Sequence, residues 1–165
     1  MKGISIIILF LMIGMRSFAA DMASQEISQF FDDLVLALNS KQSEVIANSF
    51  SVQGELISLA GGIYKGSKEI QSFFDEGFAG PYKNAKFENY IQFVRFIDSS
   101  HAVVDGVWKV IGANIPNYPS CGIFLFNLSK QNGQWKADMF YSSVPREGHT
   151  SEHGRTVSWT KICKE

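Results

Sequence analysis

Residues 121–144 read CGIFLFNLSKQNGQWKADMFYSSV, and this stretch decides the fold. Two β-rich runs, Cys121 to Gln131 and Gln134 to Val144, flank the pair Asn132-Gly133. Both central residues of a type I′ turn need positive φ, which Asn-Gly supplies, so the runs are expected to form an antiparallel hairpin. Upstream, His101 to Ile111 and Lys86 to Ile97 are runs of the same kind. Asp98-Ser99-Ser100 joins them to each other, and the loop 112–120 joins them to the hairpin. Four long strands in an antiparallel meander are the expectation.

Before Pro81 the period is helical. From Ser24, a good N-cap, Ile27, Phe30, Phe31, Leu34 and Leu38 recur at helix spacing, while Gln25, Ser28, Asp32 and Asp33 take the rest of the surface. Asn39-Ser40 ends this helix, and Lys41 to Phe50 reads as a second, short one with Val45, Ile46 and Phe50 inward. Glu55 to Leu59 looks like a strand closed by Gly61-Gly62, and Ile63 to Gly66 like a short extended piece. Ser67 then caps a helix that turns Ile70, Phe73 and Phe74 to the core and stops at Gly77, Gly80 and Pro81. Helices followed by strands define an α+β class, with about three helices on one face of a curved antiparallel sheet.

Composition narrows the function classes. The 165 residues are 45% hydrophobic and 13% aromatic, enough for one domain with a packed core. Fifteen Lys and Arg against sixteen Asp and Glu leave no basic excess for a phosphate backbone, so nucleic acid is not an expected partner. Lys2, the apolar run Gly3 to Met15 and the small residues of Ser17-Phe18-Ala19 read as a secretory signal peptide over residues 1–19. Arg16 interrupts the run short of the roughly 20 apolar residues of a membrane span, so no permanent anchor is expected after cleavage. The expected product is an exported protein, periplasmic or secreted, with a domain over 24–145 and a polar tail over 146–165.

Several segments carry a resemblance. They are Leu38-Asn39-Ser40-Lys41, Tyr64-Lys65-Gly66 followed by Ser67-Lys68-Glu69-Ile70, Phe78-Ala79-Gly80-Pro81, Ala102-Val103-Val104-Asp105-Gly106-Val107-Trp108, and Asn132-Gly133-Gln134-Trp135-Lys136. In this order and spacing the sequence resembles the nuclear transport factor 2-like superfamily, and within it the SnoaL-like small domains of the SgcJ/EcaC type, over roughly residues 25–145. The resemblance implies a cone-shaped fold in which the sheet wraps a long amino-terminal helix and leaves an apolar pocket open at one end. It also implies a homodimer, no cofactor, and, in catalytic members, carboxylates that project into the cone.

Asp105 is the candidate carboxylate, set among Val103, Val104, Val107 and Trp108. An apolar wall raises a carboxyl pKa toward the range useful for proton transfer, so Asp105 is either an acid/base or ligand-binding group, or an Asp on a solvated sheet face. The first strand region, Glu55 to Ala60, brings no matching Asp. Alternation along the last strand puts Trp135, Ala137, Met139, Tyr141 and Ser143 on one face, expected to be inward. Tyr141 then brings a hydroxyl to the pocket, or is a core Tyr whose hydroxyl reaches the rim. Trp108, Tyr90, Phe93, Phe124 and Met139 are the expected pocket lining, suited to a small apolar or carbonyl-containing ligand. His101 and Asp105 lie about 13 Å apart along one strand, too far for a dyad, so His101 reads as a turn residue.

Cys121 and Cys163 are the two cysteines. In an oxidising compartment they either pair, tying the tail to the start of the third long strand, or remain two thiols. His149-Thr150-Ser151-Glu152-His153 spells an inverted zinc-protease motif. Gly148 and Gly154 bracket it, and no apolar face would hold the helix such chemistry needs, so no metal centre is expected. Asn127-Leu128-Ser129 matches a glycosylation acceptor but falls inside an expected strand. Two functions from different classes follow. One is an exported pocket protein that binds a small apolar molecule or associates as a dimer. The other is a cofactor-independent isomerase, cyclase or hydratase acting on a small carbonyl compound, with Asp105 as acid/base and Tyr141 as orienter.

Overall fold

The computed structural model describes residues 4–116, 119–144 and 163, with only the backbone for residues 4–20. Helix α1 (Ile4–Asn39) runs unbroken through Ser24, which therefore caps nothing. Residues 16–38 contain no Gly or Pro, so nothing in the backbone favours a start there. Ser28 Oγ donates to the Ser24 carbonyl at 3.1 Å inside the helix. Ile27, Phe31, Leu34, Ala37 and Leu38 form its buried stripe.

Lys41 adopts positive φ, 58°, and turns the chain into α2 (Ser43–Asn48). This helix is shorter than its sequence suggests, with Ile46 and Ala47 buried but Val45 exposed. Strand β1 (Phe50–Ile57) and the short β2 (Ile63–Lys65) follow. Helix α3 (Gly66–Ala79) starts one residue before Ser67, and the Glu69 carboxylate accepts the Lys65 N–H at 2.8 Å. The four long strands lie where the sequence puts them: β3 (Lys86–Phe96), β4 (His101–Ile111), β5 (Cys121–Gln131) and β6 (Gln134–Ser143). Asn132 and Gly133 both have positive φ, as the β5–β6 turn demands.

The six strands form one sheet in the order β2-β1-β6-β5-β4-β3. It is mixed, whereas the meander alone suggests an antiparallel one: β1 runs parallel to β6, with Phe50 opposite Ala137 and Ile57 opposite Tyr141. The long excursion through α3 and β3–β5 supplies the crossover that parallel neighbours need. The inner face wraps α1. Phe31 stacks on Phe124 at 5.5 Å between ring centroids and meets Phe126 edge-on at 5.1 Å. At the far end of α1, the Asn39 amide acts as a one-residue strand beside β3. Its Oδ1 accepts the Phe87 N–H at 2.9 Å, and its Nδ2 donates to the Phe87 carbonyl at 2.9 Å. Long helix, short helices and curved sheet together make the α+β cone.

Candidate ligand cavity

Register assigns the faces. Ala102, Val104, Gly106 and Trp108 of β4 point inward together with their β5 partners Leu128, Phe126, Phe124 and Gly122. Between this face and the three helices lies a cavity of about 120 Å³. Helix side chains Leu34, Leu38, Ile46, Phe73 and Phe74 form one wall, and Phe50, Leu56, Phe87, Trp108, Phe126 and Phe140 form the sheet side. The cavity reaches the end of the sheet where β3 begins and β4 and β6 finish, through Tyr82, Val110 and Ser142.

Polar atoms are few and specific. The Trp108 indole N–H is occupied, donating to the Ile123 carbonyl at 3.0 Å. Ser58 Oγ accepts the Gly62 N–H at 3.1 Å. Asn89 and Ser142 also line the cavity, and their side chains make no hydrogen bond to the protein. Among the described residues the wall contains no carboxylate and no imidazole. Lys109 borders the cavity from a register position shared with the opposite face.

Of the residues expected to line a pocket, Trp108 does so. Phe124 is buried on the inner face but belongs to the core against Phe31. The other expectations about direction need correcting, and two β-bulges explain them. In β6, Asn127 faces Met139 while the next residue, Leu128, faces Ala137, so Asp138 is an extra residue. The alternation switches there: Trp135 and Ala137 point inward, but so do Phe140 and Ser142, while Met139 and Tyr141 point out. Tyr141 is 43% exposed. A second bulge at Gln92 of β3 leaves Tyr90 and Phe93, three residues apart, both on the outer face.

Asp105 also faces outward, opposite Phe93 on one side and Leu125 on the other. Partial burial among these side chains raises its pKa, and the Arg95 guanidinium offsets part of that rise. Tyr141 lies in the same row beyond Leu125, about 10 Å away at ordinary strand spacing. The pair therefore does not flank the cavity. His101 belongs to the β3–β4 turn, where its Nδ1 lies 3.0 Å from the Asp98 carboxylate. Cys121 and Cys163 are joined by a disulfide with Cα atoms 5.7 Å apart. The His149–His153 motif lies outside the described residues, and among those described no group of His, Cys, Asp or Glu could hold a metal ion.

Asn89 and Ser142 escape the sequence reading. An Asn within the Phe87-x-Asn89-x-Ile91 alternation is the available signal for the first, and only knowledge of the bulge would have assigned the second.

This architecture recurs in solved structures. A domain of unknown function with a cystatin-like fold from Nostoc punctiforme superposes with a TM-score of 0.68 at 25% identity, over 77% of this chain and 80% of that one. A protein carrying the provisional name scytalone dehydratase, from Novosphingobium aromaticivorans, gives 0.67 at 18% identity over 85% and 99%. A nuclear transport factor 2-like protein of unknown function from Shewanella oneidensis gives 0.62 at 19% over 73% and 98%. No protein-family model matches the chain, and no curated protein matches it. The chain has the nuclear transport factor 2-like, SnoaL-like fold.

Proposed function

We propose that the protein is an exported carrier or sensor of a small, neutral, largely apolar molecule of about one ring, held in the cavity and oriented by Asn89 and Ser142. The observation that carries this reading is a cavity with aromatic and aliphatic walls and two side chains whose polar atoms lack protein partners. Its size sets the ligand class, since an apolar protein cavity of about 150 Å³ is known to admit benzene. A neutral ligand follows from a wall without charged groups turned inward, because an unpaired charge would be costly to desolvate there. A carbonyl, amide or hydroxyl on the ring satisfies Asn89, which both donates and accepts. The acid/base reading with Asp105 and Tyr141 has no support from their outward positions.

Export rests on the character of residues 1–19, and a Cys121–Cys163 bridge is at home in the same compartments. Two measurements test the proposal. Mass spectrometry of the exported protein is expected to find Ala20 as the first residue, and an intact Met1 would remove export by this route. Calorimetric titration with toluene, phenol and benzamide is expected to show tighter binding of the polar pair. Asn89→Leu should weaken that pair by about tenfold and spare toluene. Absence of binding by all three, with no small molecule retained in native mass spectra, overturns the binding reading.

A further inference from the structure

Two inward aromatic rings lie over glycines of the neighbouring strand, and α1 covers one of them with a ring of its own. Phe124 of β5 lies against Gly106 of β4, and Phe31 stacks on it at 5.5 Å between centroids. In the next row of the same face, Trp108 of β4 lies over Gly122 of β5. A Cβ on Gly122 would meet Trp108 Cε2 at 2.7 Å, so the indole fills the notch that the glycine leaves. The hydrogen bond from its N–H to the Ile123 carbonyl, 3.0 Å, fixes the ring there. Among the described residues no ring lies against Trp108, whereas Phe87, Phe126 and Phe140, its aromatic companions in the cavity wall, each have one. What stands over the indole is the cavity. Beyond Phe31, α1 presents Leu34 and Leu38 to that cavity, aliphatic side chains in place of a further ring.

The same row supplies a polar handle. Asn89 of β3 is in register with Trp108 and lines the same cavity. Directly opposed residues on one face of a sheet have Cβ atoms about 5 Å apart, so the Asn89 amide stands at the border of the ring. A flat ring laid on the indole brings a substituent at its edge within reach of Asn89. A carbonyl there is suited twice over. It accepts from the amide N–H, and it draws electrons from the ring, which favours an offset stack on the electron-rich face of an indole.

We propose that Trp108 is the stacking platform of the cavity, and that the molecule bound there is a planar aromatic carbonyl compound, its ring on the indole and its carbonyl at Asn89. This rests on the ligand-binding reading above and narrows it from small rings in general to aromatic ones. A saturated ring of equal size is puckered and has no π-system, so it loses the stack while burying comparable apolar surface.

Benzamide and cyclohexanecarboxamide test this, because they share the amide and the number of heavy atoms and differ in planarity. In calorimetric titration the wild type should bind benzamide about fivefold more tightly, the usual worth of an aromatic pair beyond its buried area. Trp108→Leu, with an unchanged far-ultraviolet spectrum, should bind the two amides equally; a preference kept in this variant overturns the platform. A second readout needs no variant to fold: in wild type the ring protons of bound benzamide should move upfield and show magnetisation transfer from the Trp108 indole. Equal affinity of the wild type for the two amides overturns the platform and leaves binding in the cavity standing. So does bound benzamide whose ring protons contact Phe126 and Phe140 but not Trp108. Failure of both amides to bind overturns the platform and the binding reading together.

Discussion

The Trp108 indole occupies the space that a side chain at residue 122 would need: a Cβ on Gly122 would fall 2.6 Å from Trp108 Cζ2 and 2.4 Å from the Ser143 carbonyl oxygen. Trp108 and Gly122 are cross-strand partners, and one row away Gly106 and Phe124 repeat the arrangement, with a Gly106 Cβ 2.5 Å from Phe124 Cζ. Two aromatic rings thus lie over two glycines, close to the sheet. The cavity lies above Trp108, whereas Phe31 stacks on Phe124.

Gly122→Ala should therefore lower stability by about 1–3 kcal/mol, the usual cost of overpacking against atoms that cannot yield. The denaturant midpoint measures it. Because Trp108 must move, the tryptophan emission should shift as well; an unchanged midpoint and spectrum would mean that the ring does not rest on Gly122.

Asn39→Ala should cost about 1–2 kcal/mol, since it removes the paired hydrogen bonds to the Phe87 backbone at the edge of the sheet. Amide exchange gives a local readout. The Phe87 N–H should exchange much faster in the variant, while the Val104 N–H of the sheet interior keeps its protection.

Asn89→Leu should leave stability unchanged or raise it, by up to about 1 kcal/mol. Its side chain makes no protein hydrogen bond that the change would break, and the new side chain adds apolar contact. A thermal melt checks this. Marked destabilisation would assign Asn89 to the scaffold rather than to a ligand.

Asp98 should make stability fall in acid. The Ser100 backbone N–H, His101 and the Ser100 hydroxyl hold its carboxyl at about 2, below its ordinary 3.8. A depressed carboxyl stabilises the folded chain above its unfolded pKa, and that contribution disappears as pH falls from about 4 through about 2. Asp98→Ala should be less stable than wild type at pH 7 and equal to it below pH 2, by denaturation at both values.

Asp105 carries the opposite sign. Burial raises its pKa, so ionisation above that value opposes folding, and Asp105→Asn should stabilise the protein at pH 7 without changing ligand retention. Loss of ligand in this variant would place Asp105 at the site despite its outward position.

The long strands were legible because local signals set their limits: Asn132-Gly133 and Asp98-Ser99-Ser100 are turns whatever surrounds them. The inward face of β6 was not, because the bulge at Asp138 is made by pairing with β5 and leaves the spacing of Trp135, Met139 and Tyr141 looking regular. For the same reason unbroken alternation along β6 would turn Phe140 and Ser142 away from the cavity they line. The parallel β1–β6 contact depends on residues far apart in sequence, and no local pattern records it. Ser24 failed as a boundary for a different reason: a good cap residue begins a helix only where the preceding residues favour some other conformation, and Ala19 to Ala23 do not.

Placing the last strand of the meander between β1 and β5 also fixes when the architecture can close. A polypeptide emerging amino-terminus first presents α1, α2 and β1 long before residue 134, and β1 then has only the three-residue β2 beside it. The sheet becomes continuous when β6 inserts, joining two halves that have been separate until then. Such late, non-local joining is slow compared with helix or hairpin formation. Until it happens, β2 and β1 on one side and β5, β4 and β3 on the other are joined only through the covalent chain.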